Sequence, residues 1–177
     1  MDLRLFFALP LPLPAARRLC DTLRRKTSQP IRWVLPEQQH VTVHFLGSVE
    51  EEQLPELCRK AEALCQQHQP FTLLLDHLTY VPSAQSPSMI WLRGQPSESF
   101  NQLAWSFRRR FPTGENRTPL PHVTLARLKG FRQPPVTLPR INALSLAVHS
   151  VELWQSFTLP EGARYQRLHR WPLNSGR

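Results

Sequence analysis

Two short segments carry the same residue types in the same order. His40-Val41-Thr42-Val43 and His122-Val123-Thr124-Leu125 both read His-x-Thr-x with apolar x, 82 positions apart in a chain of 177 residues. In an extended strand successive side chains alternate between faces. Each segment therefore puts an imidazole and a hydroxyl on one face, about 7 Å apart, and its apolar residues on the other. If the two strands face each other across a cleft, two histidines and two threonines converge. One imidazole can then take a proton from water while the other gives one to a leaving oxygen, and a pKa near neutrality suits both tasks. The threonine hydroxyls can donate hydrogen bonds to the non-bridging oxygens of a phosphate. No carboxylate cluster, His/Cys ligand set or glycine-rich phosphate loop lies nearby. The pattern points to opening of a phosphodiester with no metal and no cofactor. A strained five-membered cyclic phosphate is the natural substrate, because it needs less activation than a linear diester.

The elements that must position these residues follow from apolar periodicity. Leu3 to Leu9 reads as a short strand. Pro12 and Pro14 open a helix running to about Lys26, with Ala15, Leu19 and Leu23 on one face. Ile31 to Leu35 is extended. From His40 to Leu46 the alternation assigns Val41, Val43 and Phe45 to one face, and His40, Thr42, His44 and Leu46 to the other. Gly47 is expected to end that strand, and Ser48 with Glu51 to cap the next helix. That helix carries Leu54, Leu57, Cys58, Ala61, Leu64 and Cys65 at helical spacing. Two strands, Phe71 to Val81 and Met89 to Leu92, precede a third helix over Ser99 to Phe111. After a polar loop come the strands His122 to Leu128, Leu144 to Phe157 and Tyr165 to Trp171. This order lacks the regular strand–helix beat of a parallel sheet, so the expected class is α+β with mostly antiparallel sheets.

His44 would share a face with His40, but four strand residues span about 13 Å, too far for both to hold one ion. It reads either as a cleft-lining residue or as a satisfied, partly buried histidine.

The 22 Lys and Arg against 13 Asp and Glu leave a net charge of +9, unevenly placed. Residues 1–99 hold ten basic and ten acidic side chains, whereas residues 100–177 hold twelve and three. Such a field attracts phosphate-bearing partners. Arg108, Arg109, Arg110, Arg117, Lys129 and Arg132 are the candidate track for a nucleic-acid backbone. Three cysteines make no paired framework, which excludes a secreted disulfide scaffold. No apolar run approaches the roughly 18 residues of a membrane span, and the N-terminal stretch lacks a signal-peptide layout. A cytoplasmic location and a monomeric state are expected.

The extended motifs HVTVHFLG (His40 to Gly47) and PHVTLARL (Pro121 to Leu128) resemble the two-histidine phosphoesterases. Within that superfamily they look like the bacterial and archaeal RNA 2′,3′-cyclic phosphodiesterases, long called 2′-5′ RNA ligases. RLFFALPLP (Arg4 to Pro12) and RYQRLHRWPL (Arg164 to Leu173) fit the same family, so the resemblance runs end to end. It implies one domain over residues 1–177 made of two lobes related by a pseudo-twofold. Each lobe would carry an antiparallel sheet, outer helices and one motif, with a cleft between the lobes. It implies His40 as proton donor and His122 as proton acceptor, an assignment that the near-symmetric motifs do not make by themselves. It also implies phosphate contacts from Thr42, Thr124 and Arg127, and a 2′-phosphate product. On a regular strand Arg127 would point away from His122 and Thr124, so a bulge or the strand's end must turn it in. The alternatives are a 2′-5′ RNA ligase, a phosphodiesterase of small cyclic nucleotides, and a non-catalytic RNA-end-binding protein.

Overall fold

The structure is a computed structural model, which describes all residues except Met1, Ser28, Glu115, Asn116, Glu161 and Arg177. Among the described residues, nine strands and three α-helices follow one another. They are β1 (Asp2–Pro10), α1 (Leu13–Arg24), β2 (Arg32–Trp33), β3 (His40–Glu50), α2 (Leu54–Cys65), β4 (Phe71–Pro82), β5 (Pro87–Gly94), α3 (Glu98–Arg110), β6 (His122–Arg127), β7 (Leu144–Val148), β8 (Ser150–Leu159) and β9 (Gly162–Pro172). The class is α+β, and every strand pair is antiparallel.

The expected two sheets are joined into one curled sheet of order β7-β4-β5-β6-β3-β1-β8-β9, with β2 paired on β6. The join is narrow: β3 and β6 meet through one residue pair, Val41 opposite Val123. On either side of it the local order repeats. β1, α1 and the paired strand β3 are matched by β5, α3 and the paired strand β6.

Alternation within the strands separates the two faces. Leu5, Phe7 and Leu9 of β1, Val41 and Val43 of β3, and Val123 and Leu125 of β6 join the main core. The buried sides of α1, α2 and α3 pack into that same core. Phe6, Ala8 and Trp154 form a small separate cluster on the opposite face. The helices thus shield one face, and the other is left to carry the site.

Three local expectations fail for identifiable reasons. β3 runs through Gly47 to Glu50, because Gly47 (φ 75°) takes up a bulge next to the unpaired Leu46, and the strand resumes against β1. Ser48 lies inside that strand and donates to Asp2, so it caps nothing. A 3₁₀ turn over Glu51–Gln53 leads into α2 instead. The single strand expected over Leu144 to Phe157 is two strands. β7 pairs with β4 and β8 with β1, so at His149 the chain crosses from one edge of the sheet to the strand next to the other edge.

Candidate active site

His40 and His122 begin β3 and β6, the two central strands. In both, Nδ1 lies against the carbonyl oxygen two residues earlier: Gln38 at 2.8 Å for His40 and Leu120 at 2.7 Å for His122. A carbonyl only accepts, so Nδ1 carries the proton and donates, and Nε2 is left for chemistry. Gln38 is fixed in turn by β9. Its side-chain amide donates to the Tyr165 carbonyl at 3.1 Å and its Oε1 accepts from the Tyr165 amide at 2.6 Å.

Aromatic rings surround His40: Phe6 at 5.0 Å, Trp154 at 4.9 Å and Tyr165 at 5.2 Å between centroids. This burial pulls the His40 pKa down to about 4; the Gln38 hydrogen bond opposes it, and His122 and Arg127 add to it. His122 stacks on Trp91 at 3.7 Å. Its pKa is also lowered, first by burial and further by Arg93. Each imidazole therefore stands neutral in the unliganded site. β3 and β6 are neighbours through Val41 and Val123, so the two histidines stand on adjoining strands.

Thr42 and Thr124 are half-buried, on the same face as the histidines. Arg127 is turned in as well. Ile90 lies opposite Ala126 and Trp91 opposite Thr124, so Leu125 is an unpaired bulge residue. Leu125 and Ala126 are both buried, and Arg127 returns to the motif face, where it bears on His40. Its Nη1 also approaches the Met89 sulfur at 3.8 Å.

His44 goes the other way. Phe7 lies opposite His44 and Ala8 opposite Thr42, so Val43 is a bulge residue in β3. The bulge sends His44 into the core at 1% exposure, and Phe45 out to the motif face at 50%. The alternation expected for these two residues is inverted. His44 Nε2 lies 2.6 Å from the Phe111 carbonyl, which ties β3 to the end of α3. It is a buried histidine that also lines the cavity shared with Phe45 and His122, and among the described residues no group of three or more His, Cys, Asp and Glu could hold a metal ion.

Several contributors lay outside the sequence reading. Phe6, Trp154 and Tyr165 come from strands far from the motifs in sequence, and only their alternation in β1, β8 and β9 could have flagged them. Glu152 is a buried carboxylate on β8. It accepts from Trp154 Nε1 at 2.7 Å and pairs with Arg167 at 3.3 Å and Arg170 at 3.8 Å, which holds the indole against His40. A cavity of about 150 Å³ at the Arg127 end is lined by Arg32, Gln38, Arg164 and Tyr165. Of the candidate RNA track, Arg108 and Arg117 line a second cavity beside His122. Arg109 bears on His68, which packs on Ser106 of α3.

Two imidazoles, two hydroxyls and a guanidinium thus lie on the non-core face of the adjoining strands β3 and β6, a set suited to phosphate ester chemistry. Comparison with known proteins agrees. Residues 9–91 match the family model described as LigT-like phosphoesterase. The RNA 2′,3′-cyclic phosphodiesterase of Thermus thermophilus is 30% identical over 185 residues, covering 97% of this chain and 90% of that protein. The enzyme of the same name from Methanothermobacter thermautotrophicus is 27% identical, covering 93% and 96%. The crystal structure of a Thermus thermophilus protein superposes with a TM-score of 0.83 at 28% identity, covering 99% of this chain and 100% of that one. E. coli LigT complexed with 3′-AMP superposes at 0.76 with 30% identity, covering 98% and 99%. With relatives of this likeness along its whole length, the chain belongs to the LigT-like phosphoesterase family of the two-histidine superfamily.

Proposed function

We propose that the protein is an RNA 2′,3′-cyclic phosphodiesterase that yields 2′-phosphate ends. The observation that carries this reading is the pair of imidazoles on adjoining strands, each tied at Nδ1 to a backbone carbonyl, which leaves Nε2 of each for proton transfer. Water attacks phosphorus in line. His122 Nε2 takes the proton from water as the new P–O bond forms. The bond from phosphorus to the 3′ oxygen breaks, and His40 Nε2 supplies the proton that this oxygen needs. Thr42 and Thr124 hold the non-bridging oxygens, and Arg127 offsets their charge.

His40 is neutral before substrate arrives, so its proton must come with binding. A cyclic phosphate carries one negative charge, and an anion beside an imidazole favours its charged form. The substrate thus arms its own acid. After turnover His122 holds the proton that His40 has lost, and exchange with solvent resets the pair.

The chain as a whole reads as one domain with two related halves. The matched strand–helix–strand order about the β3–β6 join and the repeated carbonyl contact two residues before each histidine support this.

The direct test is incubation of an oligoribonucleotide ending in a 2′,3′-cyclic phosphate, in EDTA, with product analysis. A 2′-phosphate end is expected. A 3′-phosphate, a ligated product or complete metal-reversible inhibition would each overturn this mechanism.

A further inference from the structure

Glu152 is a buried carboxylate that the proposed reaction does not use. It is 2% exposed on β8, with Ala8 of β1 beside it and Thr42 of β3 beside Ala8 in turn. A charge in such a place costs free energy unless it is paired and hydrogen-bonded. Its partners are unequal. Oε1 meets Arg167 at 3.3 Å and Arg170 at 3.8 Å, and both guanidinium side chains are more than half exposed. Oε2 accepts from the indole Nε1 of Trp154 at 2.7 Å, a buried, charge-assisted hydrogen bond. The arginines reach solvent and have little need of a partner. The indole N–H is the donor that this carboxylate commits.

That indole stands by the proton donor. Trp154 lies 4.9 Å from the His40 ring between centroids, Phe6 5.0 Å and Tyr165 5.2 Å. Ala8 packs with Phe6 and Trp154, and its small side chain leaves the rings this room. All three centroids fall inside the reach of about 6 Å over which an aromatic ring attracts a cation, and Trp is the strongest of the aromatic residues in that role. His40 must become a cation before it can give its proton away, in a place where burial opposes charge. His122 and Arg127 of β6 oppose it too, and only the Gln38 carbonyl on Nδ1 is set against them. An anion that accepts from an indole N–H polarises the indole and makes its ring more attractive to a cation. The other histidine is served differently. His122 stacks on Trp91 at 3.7 Å, and Trp91 Nε1 is buried with no hydrogen-bond partner among the described residues. A cation, Arg93, bears on His122, whereas an anion stands behind the indole beside His40. That difference suits a proton acceptor and a proton donor.

We propose that Glu152 is a positioning residue for the acid: it fixes and polarises the Trp154 indole, which with Phe6 and Tyr165 forms an aromatic cage for the imidazolium of His40. This rests on the phosphodiesterase reading and deepens it, by naming what holds the charge that substrate binding brings to His40.

The test follows the His40 ring by NMR against pH in wild type, Glu152→Gln, Trp154→Phe and the double variant, with the resonance identified by its loss in His40→Ala. Sulfate, an anion of constant charge over the titration, is present in place of the substrate's phosphate, and near-UV circular dichroism checks the fold at each pH. Glu152→Gln keeps the acceptor and the size of the side chain and removes its charge. It should lower the His40 pKa by about 0.2–0.5, which is 10–30% of the ~1.5 that a desolvated cation–π contact is worth. On a cyclic phosphate its kcat at neutral pH should fall about 1.5- to 3-fold with KM nearly unchanged, because the acid is charged less often and no phosphate contact is lost. Trp154→Phe keeps a ring but has no N–H to donate. The pKa should fall there too, and adding Glu152→Gln should lower it no further. A merely structural carboxylate gives the opposite sign, because a loosened indole lets water reach the imidazolium and raises its pKa. An unchanged or raised pKa in Glu152→Gln overturns the proposal. So does an equal fall in both backgrounds, which is the direct effect of a charge and does not pass through the indole. Where Glu152→Gln does not fold, Glu152→Asp, which draws the carboxylate back from Nε1, takes its place with the same expectations. The ring titration needs no turnover: if wild type opens no cyclic phosphate, the phosphodiesterase reading falls, and the His40 titration still decides the role of Glu152.

Discussion

An imidazole becomes a directed acid or base only when one nitrogen is committed elsewhere. Gln38 and Leu120 do this by offering carbonyls to Nδ1. General acid–base groups contribute about 10²- to 10⁴-fold, so His40→Ala and His122→Ala should each lower kcat by about 10²-fold or more. The double variant should lose less than the product of the single losses, because the two groups serve one step. Near wild-type kcat in either single variant would exclude the paired mechanism. The pH dependence follows from the same residues. The base must be neutral and the acid protonated, yet burial lowers both pKa values in the free enzyme, that of His40 to about 4. Above the higher of the two, both rings are neutral and the acid is missing. Hence kcat/KM, which reports the free enzyme, should fall as pH rises, from a point below the ordinary imidazole value of about 6.5. The bound phosphate anion raises both values, so the falling limb of kcat should lie at higher pH. Rate profiles on a mononucleoside cyclic phosphate measure both, and a kcat/KM that stays flat to about pH 9 would contradict the assignment.

At the scale of the element, the motifs were legible because a period of two places His and Thr together whatever surrounds them. What followed each motif was not. A bulge adds one residue to one strand, and nothing in the local pattern of Val43-His44-Phe45 or Leu125-Ala126-Arg127 marks it; the partner strand does. Strict alternation therefore put His44 in the cleft and Phe45 in the core, the reverse of what the fold does. For Arg127 the need for a bulge was evident only because the family resemblance had already called the residue inward. The strand break at His149 was hidden for a similar reason: residues 144–157 stay strand-like throughout, but their partners change from β4 to β1. His44 offers a test of the corrected placement. His44→Ala removes the partner of the Phe111 carbonyl and opens space in the core. Orphaning a buried polar group costs about 1–3 kcal/mol, and each kcal/mol lowers Tm by about 2–4 °C in a chain of this size. A lower Tm with unchanged kcat well below the transition is expected from calorimetry and kinetics together. Loss of kcat at full folding would give His44, which also lines the cavity beside His122, a part in the reaction.

At the scale of the whole molecule, the sheet decides which charges meet, and position in the sequence does not map onto it directly. Residues 1–99 and 100–177 are not the two halves of the sheet. β8 and β9 extend the half built on β1 and β3, and β4 and β5 extend the half that contains β6. Arg164, from the end of the chain, and Arg32, from its beginning, consequently line one cavity beside Arg127. Arg109 stands by His68, away from the cleft lining, although the sequence grouped it with Arg108. With a net charge of +9, all RNA feels attraction, but only cations that meet phosphates release counterions at fixed stoichiometry. For single strands each such contact adds about −0.7 to the slope of log affinity against log salt. If the strand upstream of the cyclic phosphate leaves past the Arg32–Arg164 end, KM for an oligonucleotide must rise with salt more steeply than KM for a mononucleoside cyclic phosphate. Arg164→Glu should then raise the oligonucleotide KM and flatten its salt slope by about 0.7 or more, with kcat nearly intact, because a remote phosphate is held alike in ground and transition states. Arg109→Glu changes the net charge by the same amount and should leave the slope as it was. Equal slopes for long and short substrates, or equal effects of the two reversals, would show that RNA responds to the overall field and follows no track at this end of the cleft.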